Sequence, residues 1–176
     1  MKKALFLQSW YSQITDNWYG WLKTELEKKG YQTYFPDLPE IRKDVPDMQQ
    51  MLGQIEALNC IDSDTTVIAH SLGCLLAMRL AEKHQFQKMI LVSGWDFDDL
   101  TEGHVLFWKN KIDHTAIRQN VQERYVIHSD TDPYFTADTA QCMSKRLGAE
   151  CIIIPSGGHL TAKTGFTTLP QLLPLL

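Results

Sequence analysis

A chain of 176 residues has room for one domain, and at that size it buries enough apolar surface to fold without disulfides or a structural metal. Its formal net charge of −4 is spread without long runs of one sign, which argues against a nucleic-acid footprint. Hydrophobic residues make up 44% of it, yet no apolar stretch approaches the ~20 residues of a membrane helix.

At the N-terminus, Lys2 and Lys3 precede a short apolar run, Ala4 to Leu7. A secretory signal needs roughly 7–15 apolar residues, so a cytoplasmic chain with nothing removed is expected. The run itself reads as a first strand. After a polar loop, Trp18, Trp21, Leu22 and Leu26 recur at helical spacing, and Gly30 stands where a C-terminal cap belongs. Gln32 to Phe35 reads as a second strand stopped by Pro36. Met48, Met51, Leu52, Ile55 and Leu58 again follow helical spacing. Thr65 to Ala69 is a β-branched strand that runs into an almost wholly apolar helix, Leu72 to Ala81.

Lys88 to Val92 is the next strand, and residues 94–122 are less regular, with room for a short cap. Tyr125 to Ile127 is a strand. A helix follows through Ala137, Ala140, Met143 and Leu147, ended by Gly148, and Cys151 to Ile154 is the last strand. The tail from Leu169, with Pro170 and Pro174, reads as a short final helix. Short apolar strands alternating with helices predict an α/β fold: about six parallel strands with helices on both faces, in three layers α/β/α. Cys60, Cys74, Cys142 and Cys151 form no C-x-x-C pair and read as buried small hydrophobes.

The strongest chemical signal is Ala69-His70-Ser71-Leu72-Gly73, between a strand and a helix. That is the position of a nucleophile elbow, where a strained turn lifts a serine hydroxyl above a sheet. The elbow needs small residues two positions either side of the nucleophile, and Ala69 and Gly73 meet that steric need. The competing reading is a serine that caps the helix beginning at Leu72.

A serine nucleophile needs a base, and the base needs an orienting carboxylate. In the chain order Ser, Asp, His, the carboxylate falls in Asp130-Thr131-Asp132 after one strand. The histidine is His159, in Gly157-Gly158-His159 after the last strand. All three groups would lie at the carboxyl edge of a parallel sheet, where open α/β sheets place their sites.

An oxyanion hole would take the N–H of Leu72 and a second N–H from Ser9 or Trp10. Trp10 and Trp95, at strand ends, are candidate walls of a substrate pocket. His70 should point away from Ser71 and reads as structural, while His84, His104 and His114 read as surface or cap residues. His128, Asp130, Asp132 and His159 fit no zinc-ligand spacing, so no metal is expected.

These residues resemble the small single-domain serine hydrolases of the retinoblastoma-binding-protein type, minimal α/β-hydrolases that lack the first two strands of the larger fold. The resemblance runs nearly end to end. Trp18 to Lys28 is similar to the family's first helix, Ala69 to Gly73 to its elbow, Ser129 to Tyr134 to its acid segment and Gly157 to His159 to its base segment. It implies Asp132 rather than Asp130 as the acid. It also implies a cofactor-free hydrolase of small ester or amide substrates, with residues 1–176 as one domain. Two departures stand out: Ala69 replaces the first elbow glycine, and Gln8-Ser9-Trp10-Tyr11 replaces a glycine-bearing loop. The alternative from a different class is a protein-binding module that keeps the fold with little catalysis. A nucleotide binder would need a glycine-rich or hydroxyl-rich phosphate loop, and Gln8 to Ser12 offers two serines but no glycine.

Overall fold

The computed structural model describes residues 1–176. Strand β1 (Lys3–Leu7) leads through α1 (Tyr19–Lys28) to β2 (Gln32–Tyr34), then through α2 (Met48–Glu56) to β3 (Thr65–His70). Helix α3 (Leu72–Ala81) follows at once, then β4 (Phe86–Val92), α4 (His114–Asn120), β5 (Val121–Ser129), α5 (Ala137–Leu147) and β6 (Glu150–Ile154). The six strands form one sheet in the order β2-β1-β3-β4-β5-β6, with every neighbouring pair parallel. This is the predicted three-layer α/β/α arrangement.

Alternation along each strand builds two cores. Ala4, Phe6, Ile68 and Ile90 face α1 through Trp18, Tyr19, Leu22 and Leu26. Leu5, Leu7, Val67 and Leu91 face the opposite layer, with Met51 and Ile55 of α2, most of α3, and Met143 and Leu147 of α5. Because both faces are covered, β3 is buried along its whole length. The chain moves outward from β1 to β2, then returns to β3 on the other side of β1. The reversal opens a crevice between the loops that leave β1 and β3, which end level with each other where Leu7 pairs with Ala69.

Several local expectations change. Helix α1 begins at Tyr19, so Tyr19 joins Leu22 and Leu26 on the buried face and Trp21 is only half-buried. Helix α2 stops at Glu56, leaving Leu58 exposed in the following turn. Strand β5 reaches back to Val121, because its start pairs with Phe86 of β4. The tail does form a short helix, over Pro170–Leu175, and it is of the 3-10 kind because Pro174 has no N–H to donate and its ring crowds the preceding turn. All four cysteines are free, but only Cys60 and Cys74 are buried; Cys142 lies on the solvent side of α5 and Cys151 is half-buried.

No helix is long and apolar enough to cross a membrane.

Candidate active site

The turn from β3 into α3 carries Ser71 at φ 53° and ψ −119°, a conformation that non-glycine residues rarely adopt. Such a residue costs of order 1–3 kcal/mol and persists only where its surroundings hold it. Here the Ser71 N–H donates to the carbonyl of Val92 at 2.8 Å, and its own carbonyl accepts from the N–H of Cys74 at 2.9 Å. The side chain makes no capping bond to α3, which removes the helix-cap reading.

Gly73 is needed for contact rather than for flexibility. A Cβ there would collide with the backbone carbonyl of Leu7 and lie 2.7 Å from that of Gln8. The first turn of α3 can therefore sit against the end of β1 only because position 73 has no side chain. Ala69 is fully buried within β3, so its methyl group is accommodated.

Two other strand ends deliver their side chains to the same place. The loop after β6 brings His159 Nε2 to 2.9 Å from Ser71 Oγ, across 88 residues of sequence. The loop after β5 brings Asp132 Oδ2 to 2.7 Å from His159 Nδ1. Asp132 also accepts the N–H of Tyr134 at 2.9 Å. Burial pushes the Asp132 carboxyl pKa upward, but the hydrogen bond and charge of His159, with the Tyr134 N–H and His128, outweigh it. The net shift is below the ordinary carboxylate value, so the group is ionised at neutral pH. Asp130 faces elsewhere: its Oδ1 accepts the N–H of Ser156 at 2.7 Å and so anchors the start of the histidine loop.

Above this chain of contacts lies a cavity of about 880 Å³. Ser9, Trp10, Ser71, Leu72, Trp95 and His159, all singled out in the sequence, line it. The Trp10 backbone N–H has no acceptor within the protein, whereas the Ser9 N–H lies 3.4 Å from the phenolic oxygen of Tyr19. The N–H of Leu72, at the first position of α3, has no intrahelical acceptor.

Three further lining residues, Tyr134, Phe135 and His104, are not picked out as site residues by the sequence. Tyr134 packs edge-on against the His159 ring, with centroids 4.7 Å apart. Phe135 stacks on Trp95, also at 4.7 Å. His104, in the 3-10 segment Glu102–Phe107, is not on the surface but buried between Trp10 and Trp95, with Nδ1 2.9 Å from Asp99. The position of Tyr134, two residues beyond Asp132, is the one available hint. His84 pairs with Glu56 at the edge of the fold, and His114 Nε2 lies 2.6 Å from Asp96. His128 is buried, with Nε2 2.8 Å from the carbonyl of Phe135. His70 meets Tyr19 and the main chain of His159.

A parallel sheet with a serine on a strained β3–α3 turn, and its polar partners on later strand ends, defines an α/β-hydrolase fold. The chain belongs to the serine hydrolase family, whose sequence pattern matches residues 4–176. It is a hydrolase. The product of the ydeN gene of Bacillus subtilis (strain 168) is 26% identical over 188 residues, covering 99% of this chain and 94% of that protein. Its crystal structure superposes with a TM-score of 0.90 at 25% identity, covering 99% and 96% of the two chains. The serine hydrolase RBBP9 of Rattus norvegicus is 30% identical over 148 residues, or 82% of this chain and 78% of the relative. Est1E from Butyrivibrio proteoclasticus shares the fold at a TM-score of 0.72 and 13% identity, with 91% and 80% of the chains covered.

Proposed function

We propose that residues 1–176 form one esterase-like hydrolase domain that cleaves small acyl esters or amides through a covalent acyl-enzyme on Ser71. The observation that carries the reading is the unbroken relay Ser71 Oγ, His159 Nε2, His159 Nδ1, Asp132 Oδ2, with contacts of 2.9 and 2.7 Å. Both distances lie within hydrogen-bond reach for a nucleophile, its base and the group that orients the base.

In the first half-reaction the Ser71 oxygen bonds to the acyl carbon, and its proton passes to His159 Nε2. Asp132 accepts the Nδ1–H, which fixes the tautomer that leaves Nε2 free and stabilises the imidazolium that forms. The carbonyl oxygen becomes an oxyanion, met by the N–H of Leu72 and that of Trp10. Trp10 is preferred to Ser9 as the second donor because its N–H is uncommitted. Each such donor is worth ~10²–10³ in turnover. The tetrahedral adduct collapses, the bond to the leaving alcohol or amine breaks, and His159 returns its proton to that group. Water then repeats the sequence, and the carboxylic acid leaves. Trp10 and Trp95 supply apolar walls for the acyl or leaving group.

The test is hydrolysis of p-nitrophenyl acetate and butyrate by the wild type and Ser71→Ala, with a fluorophosphonate probe counting reactive serines. The variant should lose at least ~10³-fold in turnover and all labelling. Equal turnover in the two proteins overturns the assignment and leaves the binding-module alternative.

A further inference from the structure

Below the relay, on the α1 side of the sheet, lies a set of polar groups that the proposed reaction does not use. Ser9 Oγ is 2.9 Å from the phenolic oxygen of Tyr19. That oxygen is 2.6 Å from His70 Nδ1, and His70 Nε2 is 3.1 Å from the main-chain oxygen of His159. Tyr19 and His70 are both fully buried. A phenylalanine and a leucine would fill the same space without burying polar atoms, so packing alone does not call for this pair.

The protons can be assigned from the far end of the chain. A carbonyl oxygen only accepts, so His70 Nε2 must carry the hydrogen. Burial, and then the neighbouring His159, pushes the His70 pKa down to about 3, so its ring is neutral at physiological pH and Nδ1 presents a lone pair. Burial also pushes the Tyr19 phenol pKa upward, which keeps it protonated and able to donate to Nδ1. With its single proton committed there, Tyr19 accepts from the Ser9 hydroxyl. The bonds therefore run one way: Ser9 to Tyr19, Tyr19 to His70, and His70 to the carbonyl of His159.

The two ends of this chain are the two loops on which the chemistry depends. Ser9 immediately precedes Trp10, and His159 carries the relay imidazole. We infer that Tyr19 and His70 are positioning residues that tie the loop after β1 to the loop after β6. They thereby aim His159 Nε2 at Ser71 while holding the Trp10 N–H at the oxyanion. Neither residue touches the substrate; they act through the Ser9 hydroxyl at one end and the main chain of His159 at the other. The inference rests on the proposed roles of Ser71 and His159.

The direct test is ¹⁵N NMR of the histidines in the wild-type protein, which needs no variant to fold. His70 should be a neutral ring protonated at Nε2. A ring protonated at Nδ1, or a charged ring at neutral pH, overturns the assignment.

The kinetic test compares Tyr19→Phe, His70→Leu and His70→Gln, with turnover counted per fluorophosphonate-labelled serine so that unfolded protein drops out. The glutamine amide nitrogen can replace Nε2–H as the donor to His159, whereas leucine cannot. His70→Leu and Tyr19→Phe should lower kcat about tenfold to a hundredfold, with KM within about twofold of wild type. His70→Gln should recover most of the loss. Wild-type kcat per labelled serine in His70→Leu and Tyr19→Phe overturns the inference. So does a glutamine variant as impaired as the leucine one. Failure of the underlying reading looks different: Ser71→Ala would then turn over as fast as the wild type.

Discussion

The two sides of the cavity above Ser71 are held by different forces. On one side, Ser71, Asp132 and His159 stand at the ends of β3, β5 and β6, and the parallel ladder sets their separation. On the other side, residues 94–113, which we propose act as a cap, join β4 to α4 with no strand and only a 3-10 turn, Glu102–Phe107. Side chains from elsewhere hold that cap. Arg79 of α3 donates to the carbonyls of Phe107 at 2.8 Å, Lys111 at 3.3 Å and Asn110. Asp96 accepts two N–H groups from Arg146 of α5, at 2.7 and 2.6 Å. A ladder spreads error over many bonds, whereas the cap hangs on a few charged ones and on three side chains, Trp95, Phe107 and Ile112, that sink into the α3-side core. Damage on the sheet side should therefore appear in kcat, and damage on the cap side in substrate fit and local opening.

The largest expected effect is on the sheet side. Gly73→Ala places a methyl group against the backbone carbonyls of Leu7 and Gln8, neither of which can rotate away. Relief requires α3 to move off β1, carrying Ser71 and Leu72 with it. Overpacking of this kind costs about 3 kcal/mol or more. A displacement near 1 Å at the nucleophile lowers turnover by about 10². Denaturant unfolding and turnover per labelled serine measure the two parts. An unchanged kcat in folded Gly73→Ala would mean that the elbow tolerates movement, and the ladder would lose its claim to fix the nucleophile.

The same contrast separates what is legible in the sequence from what is not. The strands are legible because β3 and β4 are runs of apolar and β-branched residues, and the elbow because a local motif sets Ser71 between a strand and a helix. Ser71, His159 and the Asp130–Asp132 segment can be brought to one place because strand ends converge on one edge whatever the details of the sheet, whereas the choice of Asp132 over Asp130 needs the family resemblance. The cap is not legible. Arg79 meets Asn110 across 31 residues and Asp96 meets Arg146 across 50, and no local period encodes such contacts. For His70 the sequence gives only a direction, away from Ser71, because side chains alternate along β3. Its partners, Tyr19 and the His159 carbonyl, depend on where α1 crosses the sheet. Leu58 misleads for a local reason: it continues an apolar pattern past the point where the backbone stops being α-helical.

A smaller effect, confined to the cap, is expected from Arg79→Met. The substitution keeps the apolar stem and removes a buried guanidinium that serves three carbonyls and Glu82. Leaving those acceptors without their donor costs about 2–4 kcal/mol. The loss should be local: faster hydrogen exchange over 102–111, a raised KM as the wall containing His104 loosens, and kcat changed far less than by Gly73→Ala. Equal loss of protection across β3 and β4 would show that the cap and the sheet open together, and the distinction between them would fail.

The smallest effect is one of pH, and it returns to the sheet side. His70 has an ordinary pKa of 6.5 in the unfolded chain and about 3 when folded, mainly because of burial. Between those values the unfolded chain binds a proton that the folded one refuses. The contribution of His70 to stability is then complete above pH 6.5 and is lost progressively as the pH falls toward 3, with a slope of up to about 1.4 kcal/mol per unit. At pH 5 the loss amounts to about 2 kcal/mol. Unfolding free energies of the wild type and His70→Gln, measured from pH 7 to pH 5, should converge as the pH falls, because glutamine has no proton to gain. Parallel curves would mean that the imidazole titrates in the fold as freely as in the unfolded chain. A ring that did so would be charged in acid with two donors, and Tyr19 would have to turn its own proton away from it.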